Sequence, residues 1–144
     1  MSVDIIDNFL KTMYQYDPRP SQDRSEYWKH AAVEGLKSWY SNQITGKWCI
    51  FHPSSEVDEA WEKISKAVKE GKLGAVAKVS TWHSAQQPQY KDNHVICVYT
   101  DDYTDEKDVR RVRDALTDLG YLQPLKYKRD IDTRNRVEQF IYEY

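Results

Sequence analysis

Hydrophobic residues fall on both sides of the stretch KWCIFH, which begins at Lys47. In an extended chain Trp48 and Ile50 point to one side, and Cys49 and Phe51 point to the other. Because both sides are apolar, the pattern predicts a strand in the middle of a sheet. A second run of this kind, HVICVYT, begins at His94 and is rich in β-branched residues. We therefore predict two central strands.

Each of these strands precedes a segment with apolar residues at helical spacing. In SSEVDEAWEKISKAVKEGK the stripe runs from Val57 to Val68 and ends before Gly71, with Ser55 and Asp58 at the spacing of a capping box. In TDEKDVRRVRDALTDLG the stripe ends before Gly120. The chain thus repeats a strand and a helix.

A return strand follows each helix in this pattern. In LGAVAKVS, small residues suit contact with a helix, so Val76, Lys78 and Ser80 are expected on the opposite face. In LKYK, Lys126 and Lys128 share a face. HSAQQPQYKDN has no periodicity and predicts a loop, whereas the final VEQFIYEY predicts a closing strand.

The first 45 residues have a different pattern. VDIIDNFLKTMYQY predicts a short amphipathic helix that Pro18 and Pro20 end, and a second helix is predicted from Ser25 to about Asn42. We therefore expect a helical segment at 1–45 packed on a sheet domain at 46–144. The predicted class is α+β: a mainly antiparallel sheet with helices on one face and the other face partly open.

Composition narrows the functional classes. The net charge of −2 gives no overall attraction to nucleic acid, so any anion site has to come from local clustering. The two cysteines lie within apolar strands and are expected to be reduced thiols of an intracellular protein. No apolar run reaches the roughly 20 residues of a membrane span, and MSVDII is unlike a signal peptide. We expect a soluble, cytoplasmic protein.

A family resemblance rests on the order of several motifs between residues 46 and 133. These are the KW strand, VDEAWEKI, the EGKLG turn, AKVS, VICVYT and DVRRVR. Together they resemble the family of the basophilic leukaemia expressed protein. That resemblance implies the fold of the translation initiation factor that binds the messenger RNA cap, a curved antiparallel sheet backed by helices. The family is also associated with a phosphothreonine lyase domain.

Our first functional hypothesis is a binding module. It would hold an anionic, phosphate-bearing ligand, such as a nucleotide, an RNA end or a phosphopeptide, on the open sheet face. Tryptophans stack planar groups, and lysine and arginine side chains attract phosphate. The candidate ligand-binding residues are Trp48, Lys78, Ser80, Trp82, Lys126, Lys128, Arg129, Arg134 and Arg136. The alternative is that these lysines only keep the sheet face soluble and that Trp48 belongs to the core.

The second hypothesis is a phosphothreonine lyase-like enzyme that acts by β-elimination. This chemistry needs a base, an acid and cations that hold the phosphate. Lys78 would be the base if burial lowered its pKa, and His83 would be the acid. Phosphothreonine lyases look to carry a Lys and a His two residues apart on one strand. In this chain Lys78 would occupy the first of these positions, but the second is Ser80.

The third hypothesis is a small interaction or inhibitor protein. The tyrosines near both ends, Tyr14, Tyr16, Tyr27, Tyr142 and Tyr144, would suit a protein interface, although they equally suit packing at the sheet edges. The sequence has no ligand spacing for a metal and no glycine-rich phosphate loop, so it predicts no cofactor and no metal.

Overall fold

A computed structural model describes residues 15–144. Residues 3–14 of the amphipathic helix predicted over 3–16 lie outside the described residues. In the part of the chain that the structure describes, six strands form one antiparallel sheet in the order β1-β3-β4-β2-β5-β6. The strands are β1 Trp28–Ala32, β2 Gly46–Pro53, β3 Val76–Ser80, β4 Asn93–Thr100, β5 Lys126–Arg129 and β6 Tyr142–Glu143. The two runs that are apolar on both sides, β2 and β4, occupy the centre, as predicted.

Four helices lie wholly within residues 15–144. They are α1 Ser54–Lys69, α2 Trp82–Ala85, α3 Glu106–Asp118 and α4 Asp130–Arg134. The two long helices, α1 and α3, bury their apolar stripes against one face of the sheet. The predicted α+β class, with helices on one face of an antiparallel sheet, is confirmed. No helix in this described range is both long enough and apolar enough to cross a bilayer.

The prediction of a helix from Ser25 to Asn42 is wrong. Trp28–Ala32 forms the edge strand β1, which pairs with β3, and residues 33–45 have no regular structure. Gly35 adopts a φ of 86°, which no α-helix contains. Pairing with β3 places Lys29 and Ala31 towards the helices, where both are buried. Residues 28–32 therefore belong to the same sheet as the strands of residues 46–144. The prediction of a separate helical segment at 1–45 is wrong for these residues.

The start of α1 also differs from its predicted capping box. The helix begins at Ser54, with Pro53 at the N-cap position. No side chain there accepts a hydrogen bond from the free backbone N–H groups of the first turn. Asp58 instead accepts hydrogen bonds from the backbone N–H and hydroxyl of Ser21, at 2.9 and 2.6 Å. Its carboxylate therefore anchors the chain that leads into β1.

Two polar segments contain short helices that the sequence did not predict. The segment predicted as a loop from His83 to Asn93 begins within α2, and the polar run after β5 folds as α4. By contrast, α3 begins after Asp105, whose side chain accepts a hydrogen bond from the backbone N–H of Asp108, and ends before Gly120. Helix α3 was predicted within two residues.

The core lies between the sheet and the two long helices. Trp48 is fully buried there, and its ring meets that of Tyr127 edge to face with centroids 5.2 Å apart. Its indole N–H donates to the carbonyl of Val109 on α3 at 3.1 Å. Trp48 therefore joins the central strand β2 to β5 and to a helix.

We expect Trp48→Ala to lower the free energy of unfolding by about 3–5 kcal/mol, because it leaves a large cavity and an unpaired Val109 carbonyl. Urea denaturation measures this change. Trp82→Ala is the matched control: that ring is only partly buried and contacts Arg24, so its removal should cost about 1 kcal/mol or less. Equal costs at the two positions would contradict the assignment of Trp48 to the core.

Candidate functional site

The sheet face that points away from α1 and α3 is called here the open face. Strand register places alternate residues of five strands on it. These residues are Trp28, His30 and Ala32 of β1, Val76, Lys78 and Ser80 of β3, Val95, Cys97 and Tyr99 of β4, Lys47, Cys49 and Phe51 of β2, and Lys126 and Lys128 of β5. The face is therefore both aromatic and cationic.

Lys78 lies near the middle of this aromatic surface. Its ammonium is 3.9 Å from the ring centroid of Trp28 and 5.9 Å from that of Tyr99. Burial lowers the pKa of Lys78. Among residues 15–144, no carboxylate lies within the 4.0 Å of an ion pair with it. The two aromatic rings stabilise the buried ammonium charge of Lys78 in part, and a bound anion would stabilise it further.

A groove of about 530 Å³ leads to Lys78. Residues 36–41 form one wall, and strands β1, β3 and β4 form the floor. We call this cavity the open-face groove; its lining includes His30, Lys37, Trp39, Tyr40, Val76, Lys78 and Tyr99. Its volume is typical of sites for small molecules.

Trp39 is a preorganised part of this wall. Its ring packs against that of Tyr99 with centroids 4.9 Å apart, and its indole N–H donates to Asp101 at 3.2 Å. Tyr40 is 80 % exposed beside it. A planar ligand group would therefore meet aromatic surface on entering the groove.

A buried ion pair holds the wall in place. The ammonium of Lys47 is 2.6 Å from Asp130 and donates a second bond to Thr133 at 2.8 Å. Asp130 also accepts bonds from the hydroxyls of Ser41 and Thr45. Burial alone would raise the pKa of Asp130, but these hydrogen bonds and the charge of Lys47 lower it overall. The pair thus connects β2, α4 and the segment before β2.

Arg134 strengthens the same connection. Its guanidinium donates to the Ser41 hydroxyl at 3.0 Å and to the Asn42 carbonyl at 2.7 Å. Arg134, a candidate phosphate ligand from the sequence, is therefore engaged with the groove wall. Arg129 is likewise engaged, since it forms two 2.8 Å bonds with Asp132.

The remaining predicted cations lie away from the groove. Lys126 and Lys128 share the open face with Lys78, as predicted, but β4 and β2 separate them from it, so their Cα atoms are about 14 Å or more from that of Lys78. Lys128 lies 3.9 Å from Glu138, and Arg136 is exposed beyond α4. The cations form a line across the face instead of one cluster.

Two of the predicted contact residues are unavailable to a ligand. Trp48 is on the helix-covered face, so its predicted stacking role is wrong: the side chain is fully buried in the core. Ser80 is on the open face but only 1 % exposed, and its hydroxyl bonds with Ser84 of α2 and the backbone N–H of Val95.

Trp82 and His83 lie on α2, beyond the end of β3. The guanidinium of Arg24 is 4.1 Å from the ring centroid of Trp82, and His83 Nε2 is 2.8 Å from the Arg24 carbonyl. Neither residue lines the open-face groove. Tyr14 lies outside the described residues, Tyr16 is 58 % exposed, and Tyr142 and Tyr144 pack on the core with their rings stacked.

Sequence reasoning missed most of the groove. His30, which faces Lys78 across β1 and β3, and the aromatic Trp28 and Trp39 were assigned to a helix. Lys47 was placed at the start of a strand, but no ion-pair partner was predicted for it. The glycine at position 35 was the available signal, since it favours a turn within the segment that was predicted to be helical.

A second cleft, of about 650 Å³, lies between β1, α1 and residues 16–19. Its lining contains four carboxylates, on Glu26, Asp58, Glu59 and Glu62, against three basic side chains, on Arg19, Lys29 and Lys69. Of these bases, Lys29 is already paired with the buried Asp23 at 2.7 Å. This cleft does not suit an anion. Within the described range, no group of three or more His, Cys, Asp or Glu side chains is arranged to hold a metal ion.

The α+β fold of the chain is similar to the eIF4E fold. The structure is similar to that of C. elegans eIF4E-3, solved in complex with the 4E-binding protein Mextli and a cap analog. The match has a TM-score of 0.59 at 16 % sequence identity and covers 94 % of this chain and 80 % of that one. At this identity the likeness shows the fold alone.

The family follows from the sequence itself. The sequence model of the family described as Basophilic leukemia-expressed protein Bles03 matches residues 37–134. The chain belongs to this family. The matched range extends from the groove wall to the end of α4 and includes Lys47, Lys78 and Asp130.

We expect Asp130→Asn to lower the free energy of unfolding by about 3–5 kcal/mol near neutral pH, because Lys47 would keep a buried charge without its partner. The folded pKa of Asp130 is lowered, so its contribution is complete above the unfolded pKa of about 4 and is lost as pH falls through the folded value. The stability difference between parent and variant should therefore shrink below about pH 4. Urea titrations across pH measure it, with exposed Asp118→Asn as the control. A difference that stays constant with pH would contradict this account.

Proposed function

We propose that this protein binds an anionic, phosphate-bearing ligand in the open-face groove. The observation that carries the proposal is Lys78: an ammonium partly buried among aromatic rings, with no carboxylate partner in the described chain. Coulomb attraction is stronger in such a site than in water, so a phosphate oxygen there would offset the cost of burying the charge. A second cation, Lys37 in the groove wall, adds to the positive potential of the groove.

The aromatic lining favours a ligand with a planar group beside its phosphate. Trp39 and Tyr99 are held against each other, Trp28 supports Lys78, and Tyr40 is exposed at the edge. Aromatic side chains stack nucleobases at about 1–3 kcal/mol per base, and a phosphoserine or phosphothreonine side chain has no such group at its phosphate. A nucleotide or an RNA 5′ end therefore fits the groove better than a phosphoserine or phosphothreonine peptide. The likeness to a fold solved with a cap analog agrees with this preference, as an analogy of fold only.

The line formed by Lys128 and Lys126 suits the continuation of an RNA chain. Both lie on the same face as the groove, and Lys126 is exposed. A polyphosphate or an RNA backbone that leaves the groove across β2 would reach them. We propose that they contribute to affinity for longer ligands and little to affinity for a mononucleotide.

We expect Lys78→Met to weaken the binding of ATP, GTP or a 5′-triphosphorylated RNA oligonucleotide at least about tenfold, since a charged hydrogen bond contributes roughly 1.5–3 kcal/mol. Isothermal titration calorimetry measures the dissociation constants. Lys107→Met is the matched control, because Lys107 is an exposed lysine on α3, on the other side of the sheet. Affinity of the parent should also fall as salt is added.

A comparison of nucleosides, nucleotides and a phosphopeptide tests the phosphate site and the choice of ligand class separately. Adenosine and guanosine, which lack phosphate, should bind much more weakly than the nucleotides. If nucleosides bound as tightly as nucleotides, or if Lys78→Met and Lys107→Met gave the same affinity, the phosphate site at Lys78 would be excluded. Binding of a phosphothreonine peptide in preference to nucleotides would overturn the choice of ligand class.

One observation favours a second candidate, the phosphothreonine lyase-like enzyme. Burial lowers the pKa of Lys78, as a general base near neutral pH requires. In this reaction the base takes the α-proton, the bond from Cβ to the phosphate oxygen breaks, and a dehydrated residue and free phosphate remain. His83, the acid named from the sequence, bonds to the Arg24 carbonyl outside the groove, which weakens this candidate.

If the chain were such an enzyme, incubation with a phosphothreonine peptide would release phosphate and produce the dehydrated peptide, and Lys78→Ala would abolish both. Mass spectrometry of the peptide measures the conversion. The binding proposal expects the peptide to be recovered intact, with the Lys78→Ala protein as the matched blank. Turnover that depends on Lys78 would replace binding by catalysis as the function of the groove.

A further inference from the structure

The two cysteines of the chain meet at the centre of the open face. Cys49 of β2 lies directly opposite Cys97 of β4 in the strand register. Both are free thiols, 9 % and 4 % exposed, and the strand register places them side by side. Neither thiol takes part in the groove lining described above. Their proximity is a product of the sheet, since 47 residues separate them in sequence.

The strand geometry matches the requirements of a disulfide. Residues directly opposite in an antiparallel pair have Cα atoms about 4.5–5.5 Å apart, and disulfides span Cα distances of about 4.4–6.8 Å. Both side chains point to the same face, because the residues are register partners. A bond between the two sulfur atoms would therefore need side-chain rotation and little backbone movement.

The surroundings favour the thiolate form of Cys97 over that of Cys49. Lys78 is the register partner of Cys97 on β3, and Lys126 is the register partner of Cys49 on β5. The neighbouring Cys49 thiol lowers the pKa of Cys97, and the ammonium groups of Lys78 and Lys47 act in the same direction, whereas Cys97 and burial raise the pKa of Cys49. A thiolate is the reactive form of cysteine, and nearby cations are a mark of redox-active thiols.

We propose that Cys49 and Cys97 are a site of reversible oxidation at which a hydroperoxide closes a cross-strand disulfide between β2 and β4. The Cys97 thiolate attacks one peroxide oxygen, the O–O bond breaks, and a sulfenic acid and hydroxide form. The Cys49 sulfur then attacks the sulfenic sulfur, the S–S bond forms, and the sulfenic oxygen leaves as water with the Cys49 proton. When the peroxide is hydrogen peroxide, the hydroxide takes up the proton that Cys97 lost on ionisation, so the net products are the disulfide and two molecules of water. A thiol reductant such as glutathione reverses the change.

The site does not depend on the proposed ligand. Oxidation replaces the thiolate beside Lys78 with an uncharged bond and links the two central strands. Because Lys78 is the register partner of Cys97, this bond would lie beside Lys78 on the open face, next to the groove. If the proposed function is correct as well, oxidation will change the affinity of the groove, but the disulfide stands or fails on its own chemistry.

The test is to expose the reduced, folded protein to hydrogen peroxide and then to alkylate the unfolded chain with iodoacetamide. The reduced protein takes up two labels, one for each cysteine. After oxidation we expect a monomer without labels, lower in mass by two hydrogen atoms, and full recovery of both labels after dithiothreitol. Peptide mapping should join the peptides that contain Cys49 and Cys97.

Two variants provide the controls. Cys97→Ser and Cys49→Ser each remove one sulfur with little change in volume, so neither should form the monomeric oxidised species. Cys49→Ser should accumulate a sulfenic acid at Cys97 that dimedone traps. The proposal is overturned if the oxidised parent retains both thiols, if it gives only dimers linked between chains, or if both sulfurs go directly to sulfinic acid without a disulfide.

Discussion

The buried ion pair between Lys47 and Asp130 is the interaction on which the open face depends. Lys47 stands on the central strand β2, and Asp130 begins α4 immediately after β5. Through Ser41 and Thr45 the same carboxylate holds the irregular segment that precedes β2. One carboxylate therefore positions a strand, a helix and the wall of the groove. Separation of the two charges would leave each one buried without a partner, at a cost of several kcal/mol.

This constraint explains why the two faces of one sheet differ so much. On the face under α1 and α3, apolar side chains such as Trp48 and Ile96 exclude water and supply most of the folding free energy. On the open face, a smaller apolar cluster around Val76, Cys97 and Tyr99 lies beside ammonium groups. Its order comes from this cluster, from the ion pair, from π-faces near lysines and from backbone pairing.

The parts of the fold that follow from local pattern were predictable. β2 and β4 are apolar on both sides, and α1 and α3 have clear apolar stripes. Their sequences alone therefore identify the central strands of the sheet and the helices that cover one of its faces. β1 was not predictable in this way, because Trp28, Ala32 and Leu36 happen to fit helical spacing while the strand is stabilised by pairing with β3. Tertiary pairing overrode local periodicity there.

The candidate site divides along the same line. Alternation in β3 was enough to place Lys78 on the open face, and alternation in β5 placed Lys126 and Lys128. The partners of Lys78 come from strand order, which brings β1 and β4 to either side of β3, and no local pattern encodes that order.

The attachment of the groove wall has a consequence for the cost of binding. Residues 36–41 are held by Asp130 through Ser41, by Arg134 through Ser41 and Asn42, and by Asp101 through Trp39. Because these bonds already fix the wall in position, a molecule that enters the open groove would lose little free energy to ordering it.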